Sequence, residues 1–128
     1  AIFCVDAYHY FGCNEEMLPK LLSFTKPGGY IAVAIPGLKQ ECTNGNIPVE
    51  MRPFWTDDMN FHSVEWWAEL WGKCEYTHNL QAGEISCHDT AWKEWLECSN
   101  TYAVGDRKMM AAEAGKYFNH VWLTCQKA

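Results

Sequence analysis

The sequence predicts an α/β fold that opens with a parallel pair of strands. Two apolar runs flank one helical pattern, a glycine-containing turn separates that helix from the second run, and an alternating run closes the chain after a helical stretch. Ile2–Val5 is apolar throughout, as expected of a strand inside a parallel sheet whose other strands lie elsewhere. It leads into a polar and aromatic segment, Asp6-Ala7-Tyr8-His9-Tyr10-Phe11-Gly12. Asn14 is placed to cap a helix running towards Thr25, with Leu18, Leu21 and Leu22 facing inward. Pro19 fits that helix only within its first turn, which favours a start later than Asn14. Lys26-Pro27-Gly28-Gly29 stops the helix, because proline cannot continue it and glycine accepts positive φ. Tyr30–Ile35 is the second buried strand, expected to end at Pro36-Gly37. A strand, helix, strand unit of this kind requires a parallel sheet.

Leu38 to Asn60 reads as loop, with Pro48, Pro53 and a Thr43-Asn44-Gly45-Asn46 turn. Ser63 caps a short helix, Val64 to Trp71, that ends at Gly72. Trp67 and Trp71 share a helical face with Val64, the spacing of a core stripe. Glu75 to Gln81 and Tyr117 to Gln126 read as strands. Two helical pieces lie between them: one follows Asp89 and carries Trp92, Trp95 and Leu96; the other follows Asp106, carries Met109 and Met110, and stops at Gly115.

Composition narrows the function. Hydrophobic residues make up 48% and charged residues 20%, the balance of a globular chain and not of a disordered one. A net charge of -6 without a Lys/Arg cluster argues against nucleic acid. No apolar run approaches the ~20 residues of a membrane span, so no membrane role is expected. The seven Cys include no C-x-x-C pair, which is poor spacing for zinc, and several sit inside apolar runs. They read as free thiols of a reducing, cytoplasmic compartment. His62, His78 and His88 are scattered, and no metal is expected.

Two segments resemble a known family. Ala1-Ile2-Phe3-Cys4-Val5-Asp6-Ala7-Tyr8-His9-Tyr10-Phe11 resembles the fourth strand of class I, Rossmann-like methyltransferases and the turn after it. Leu21-Leu22-Ser23-Phe24-Thr25-Lys26-Pro27-Gly28-Gly29-Tyr30-Ile31-Ala32-Val33-Ala34 resembles their following helix, turn and fifth strand, at matching spacing. The tail, ending Phe118-Asn119-His120-Val121-Trp122-Leu123-Thr124-Cys125, is similar in its order of elements. Phe61-His62-Ser63-Val64-Glu65-Trp66-Trp67 is similar to a pattern in an uncharacterised bacterial branch. The resemblance implies the C-terminal half of such a sheet: parallel strands, an antiparallel last strand inserted between its two predecessors, and a helical insertion at about residues 84–116. It also implies S-adenosyl-L-methionine as cofactor and methyl transfer to a small molecule.

In an open parallel sheet, ligands lie beyond the carboxyl ends of the strands. Asp6 to Tyr10 and Pro36 to Leu38 occupy that position. Val5, Asp6, Ala7 and His9 are the candidate cofactor contacts, with Asp6 alternatively a turn residue. His9 is the candidate base, needed only if the acceptor must lose a proton, and is otherwise a structural histidine. Tyr10, Pro36, Trp66 and Trp92 are the candidate substrate contacts; for each Trp, core packing is the competing role. The glycine-rich loop that would follow the family's first strand, and the acidic residue ending its second, have no counterpart in these residues; Gly28-Gly29 precedes a strand. An N-terminal half of the same protein is therefore the expected partner, and the isolated chain is expected to be inactive and to bind the cofactor poorly. An apolar edge left open would invite association, with a homo-oligomer as one form of it. A Rossmann-type dehydrogenase half and a non-enzymatic binding or assembly module are the rival readings.

Overall fold

A computed structural model describes residues 1–42 and 45–128. The Thr43-Asn44 part of the expected turn lies outside the described residues. Among the described residues, four strands and four α-helices follow one another as β1 (Ile2–Val5), α1 (Met17–Ser23), β2 (Tyr30–Leu38), α2 (Val64–Gly72), β3 (Thr77–Glu84), α3 (His88–Glu97), α4 (Thr101–Glu113) and β4 (Phe118–Lys127). The strands form one sheet in the order β1-β2-β4-β3. As the pattern predicts, β1 and β2 run parallel and adjacent, in register from Ile2↔Ile31 to Val5↔Ala34. The last strand enters between its two predecessors and is antiparallel to both.

Helix α1 begins where Pro19 allows. Asn14 Oδ1 accepts the backbone N–H groups of Glu16 (3.0 Å) and Met17 (3.1 Å), and Pro19 falls in the first turn. Ser63 Oγ accepts the N–H of Trp66 at 3.2 Å and starts α2. Leu18 and Leu22 of α1 and Trp67 and Trp71 of α2 are buried against Ile31, Val33, Ile35, Val121, Leu123 and Cys125 of the sheet. Tyr8 joins them, its ring edge-on to Trp67 and Trp71 at 5.8 and 5.5 Å. Burial pushes the Cys125 and Cys13 thiols up to about 11, so both stay protonated and unreactive near neutrality. The opposite face is less covered. Phe3 and Val5, on the alternate positions of β1, are 77% and 69% exposed.

The boundaries of four elements differ from the sequence reading, besides a one-residue shift of β4. β2 does not stop at Pro36-Gly37 but pairs with β4 as far as Leu38↔Phe118. Ala34 accepts the Asp6 N–H (2.8 Å) on the β1 side, and Leu38 N–H donates to His62 O (3.0 Å). Pro36, in the same alternation, faces that side beyond the last residue of β1, so its missing donor leaves the β2–β4 ladder intact. β3 runs from Thr77 to Glu84, not Glu75 to Gln81, with an extra residue between His78 and Gln81. Gly83 belongs to it because Trp122 lies across the place a side chain would occupy. α3 begins at His88, ahead of Asp89. α4 begins at Thr101 and not after Asp106, because Asn100 Oδ1 accepts the Tyr102 N–H at 2.9 Å and caps a longer helix.

Candidate functional site

A cleft of about 930 Å³ opens at the carboxyl ends of β1 and β2, the place an open parallel sheet reserves for ligands. Its floor comes from Asp6, His9, Tyr10, Pro36 and His120. Phe54, Met59 and Phe61 of the long connection close one side, and Trp92, Glu94 and Trp95 of α3 face Tyr102, Asp106 and Met109 of α4 across the other. A second core beneath it joins Leu38, Met51, Phe61, Met109 and Phe118, so the helical pair is anchored to the sheet. Trp95 Nε1 donates to Asp106 Oδ2 at 2.9 Å, tying α3 to α4.

The turn after β1 is shaped by backbone and side chain together. Asp6 adopts φ 52°, a left-handed conformation uncommon outside glycine, Asn and Asp. A 3-10 turn, Tyr8–Phe11, follows and carries His9 inward. Asn60 donates from Nδ2 to His9 O at 2.8 Å and pins the turn to the long connection. His9 is 3% exposed and packs on Tyr10 and Phe61, with ring centroids 4.2 and 5.9 Å away. Its Nδ1 is buried without a partner among the described residues. Burial holds the imidazole below its ordinary range near 6.5; the Asp6 carboxylate opposes that shift and His120 adds to it. His9 is therefore neutral at physiological pH and able to accept a proton.

Beside it runs a polar chain that sequence reading missed. Asp6 Oδ1 lies 3.4 Å from His120 Nε2, and His120 Nδ1 lies 2.9 Å from His88 Nδ1. The tautomers that satisfy all three groups have His120 donating to Asp6 from Nε2 and accepting from His88 at Nδ1. Burial, then the neighbouring His120, pushes His88 below its ordinary range. The alternation of β4 places His120 on the face away from Val121 and Leu123, but nothing local in sequence says that His88, 32 residues away, meets it.

The structure brings Asp6, His9, Tyr10, Pro36 and Trp92 together on one cleft. Trp92 Nε1 is buried without a partner among the described residues, and the ring stands 6.1 Å from that of His120. Val5, Ala7 and Trp66 are not among the lining residues. Val5 projects from β1, and Ala7 O accepts the Tyr10 N–H at 3.0 Å within the turn. Trp66 stacks on His62 at 3.6 Å and 11°, and His62 Nδ1 meets Glu41 Oε1 at 2.6 Å. Glu41 Oε2 also accepts the Ser63 N–H, at 2.8 Å, so this cluster braces the start of α2. No group of three or more His, Cys, Asp or Glu able to hold a metal ion occurs among the described residues. No helix among them is long and apolar enough to cross a membrane.

No family model matches the chain, and no curated protein does. Solved structures do match. Phosphoethanolamine N-methyltransferase 2 of Haemonchus contortus, in complex with S-adenosyl-L-methionine, aligns with a TM-score of 0.66 at 12% identity over 98% of this chain. The same enzyme with phosphomonomethylethanolamine and S-adenosylhomocysteine aligns with a TM-score of 0.65 at 11% identity over 98% of this chain. The fold is that of a class I methyltransferase. This chain spans about a third of the length of those neighbours, 32% in each case, and corresponds to a half-domain of the methyltransferase sheet.

Proposed function

We propose that this chain is the acceptor-side part of an S-adenosylmethionine-dependent methyltransferase acting on a small molecule. The observation that carries the reading is the cleft at the ends of β1 and β2, where Asp6, His9 and Pro36 meet the aromatic wall of α3. Both solved neighbours hold the cofactor or its demethylated product, which supports the choice of methyl donor.

The residues present fit one end of such a cofactor. The Asp6 side chain is 59% exposed at the strand end, and the buried, unpartnered His9 Nδ1 lies beside it on the same lining. Asp6 and His9 form the cofactor side of this proposal, and Tyr10, Pro36 and Trp92 the acceptor side; Val5 and Ala7 lie off the lining, and Trp66 supports α2 instead. When bound, the sulfonium supplies an electrophilic methyl group. The protein's task is alignment, and positioning alone contributes roughly 7–11 kcal/mol to reactions of this kind. Neutral His9 takes the proton of an acceptor that must lose one, and the Asp6–His120–His88 chain keeps the surrounding charge ordered. The glycine-rich loop and ribose-binding acid of the family have no counterpart in the chain. The reading therefore assigns the remaining cofactor contacts to an N-terminal half of the same protein.

Calorimetric titration of S-adenosylmethionine decides between these statements. Saturable binding is expected for a longer polypeptide that includes an N-terminal half, and not for the 128-residue chain alone. Micromolar binding by the chain alone would overturn the division of the site, and absence of binding to the longer protein would overturn the methyltransferase reading. In the longer protein, His9→Gln is expected to lower kcat by roughly 10²–10⁴ for an acceptor that loses a proton. It should also remove the limb of the pH profile on which activity rises as His9 deprotonates.

A further inference from the structure

The charge on the cleft is one-sided. Asp6 lies on its floor and Glu94 and Asp106 on its helical walls, while no Lys or Arg occurs among the described residues that line it. Arg107, next to Asp106 in the chain, has its donors taken by backbone carbonyls, Nε by Leu96 O (2.9 Å) and Nη2 by Cys98 O (3.1 Å). Lys39 likewise donates from Nζ to Gly115 O at 2.6 Å. The carboxylates are interleaved with Tyr10, Trp92, Trp95 and Tyr102, whose ring faces are the negative pole of an aromatic quadrupole. His9, 97% removed from solvent, brings an unpartnered Nδ1 to the same lining, and buried polar atoms left unpaired in a cavity mark where a ligand's polar group belongs.

We propose that this cleft takes an unphosphorylated organic amine as its ammonium ion, held by Glu94 and Asp106 among the rings of Trp92, Trp95 and Tyr10. That the amine is a methyl acceptor rests on the reading above; that the cleft selects a cation does not. A volume of about 930 Å³ admits an amine carrying an aromatic or branched body. Phosphomonomethylethanolamine, held by the solved neighbour, carries a phosphate that requires cationic or N–H donors. This lining would meet that phosphate with carboxylates.

Calorimetry on the 128-residue chain tests the selection with tyramine, neutral 4-ethylphenol, anionic 4-hydroxyphenylacetate and phosphomonomethylethanolamine. Tyramine is expected to bind about tenfold or more tighter than 4-ethylphenol, as charge attraction at a partly desolvated surface allows, and neither anion is expected to saturate. Glu94→Gln with Asp106→Asn should weaken tyramine by about tenfold and leave 4-ethylphenol unchanged. Trp92→Leu should weaken tyramine by about fivefold. Should the double variant melt early, Glu94→Gln alone, at an exposed helical position, carries the same comparison. Equal affinity for tyramine and 4-ethylphenol, preference for either anion, or saturation by none of the four would overturn the proposal. Titration of the longer protein with S-adenosylmethionine keeps the two readings apart. Cofactor binding with an anion-selecting cleft overturns only the inference, and amine selection without cofactor binding overturns only the methyltransferase reading.

Discussion

Glu113 is 1% exposed, yet each of its oxygens is answered: Oε2 accepts the Gly115 N–H (2.6 Å), and Oε1 those of Tyr117 (2.6 Å) and Phe118 (2.8 Å). A single carboxylate thus ends α4, turns the chain through left-handed Ala114 and Gly115, and launches β4 at the cleft. Removing it leaves three backbone donors without their partner, that of Phe118 in the core. Glu113→Ala is expected to destabilise the fold by about 3 kcal/mol, seen as a lower denaturation midpoint with an unchanged slope. Glu113→Gln should lose less, because one oxygen remains to accept. Nothing local in the sequence distinguishes Glu113 from a solvated helix glutamate; its role follows from where the next strand has to start.

At the scale of elements, the passage of β2 beyond Pro36 sets the edge of the cleft. Gly37 there is crowded on two sides: a Cβ would run into Val121 Cγ2 and the His62 carbonyl. That carbonyl accepts the Leu38 N–H, so it cannot shift freely. Gly37→Ala is expected to destabilise by roughly 2 kcal/mol through overpacking, measurable by thermal or denaturant unfolding. Gly105, inside α4, is the control. A Cβ there meets nothing within 4 Å, and Gly105→Ala should stabilise by roughly 0.5–1 kcal/mol through helix propensity. The two substitutions are chemically identical, and opposite signs are expected because one site is packed against backbone and the other faces open space.

For the molecule as a whole, buried imidazoles make stability depend on pH. Burial holds both His9 and His88 below their ordinary range near 6.5, so the unfolded chain binds more protons than the folded one just below that pH. Their neutral-state contribution is complete above about 6.5 and is lost as the pH falls from there towards their folded values. The melting temperature is therefore expected to fall between pH 7 and pH 5. His88→Gln should flatten that slope, whereas a wild-type slope in this variant would show that His88 is not the group responsible. His9 also lines the cleft, so stability and ligand selection should be measured together. On the far side of the sheet, Phe3 and Val5 leave β1 exposed on the face that α1 and α2 do not cover.

The sequence by itself determined the order of elements, the parallel β1–β2 unit, the core stripe of Trp67 and Trp71, and the segment after β1 on which the candidate site is built. These are local signals: apolar runs, a helical period of 3.6, and cap and stop residues whose meaning lies within a few positions of themselves. Only the tertiary structure decided where β2 and β3 end, because Pro36-Gly37 reads as a terminator until β4 pairs beyond it, and Gly83 finds its place in β3 only against Trp122. It also decided the longer α4, the separation of Trp66 from the cleft, and the meeting of His88, His120 and Asp6. Those contacts join residues far apart in the chain, and a side chain's local spacing carries no information about a partner that only the sheet brings within reach.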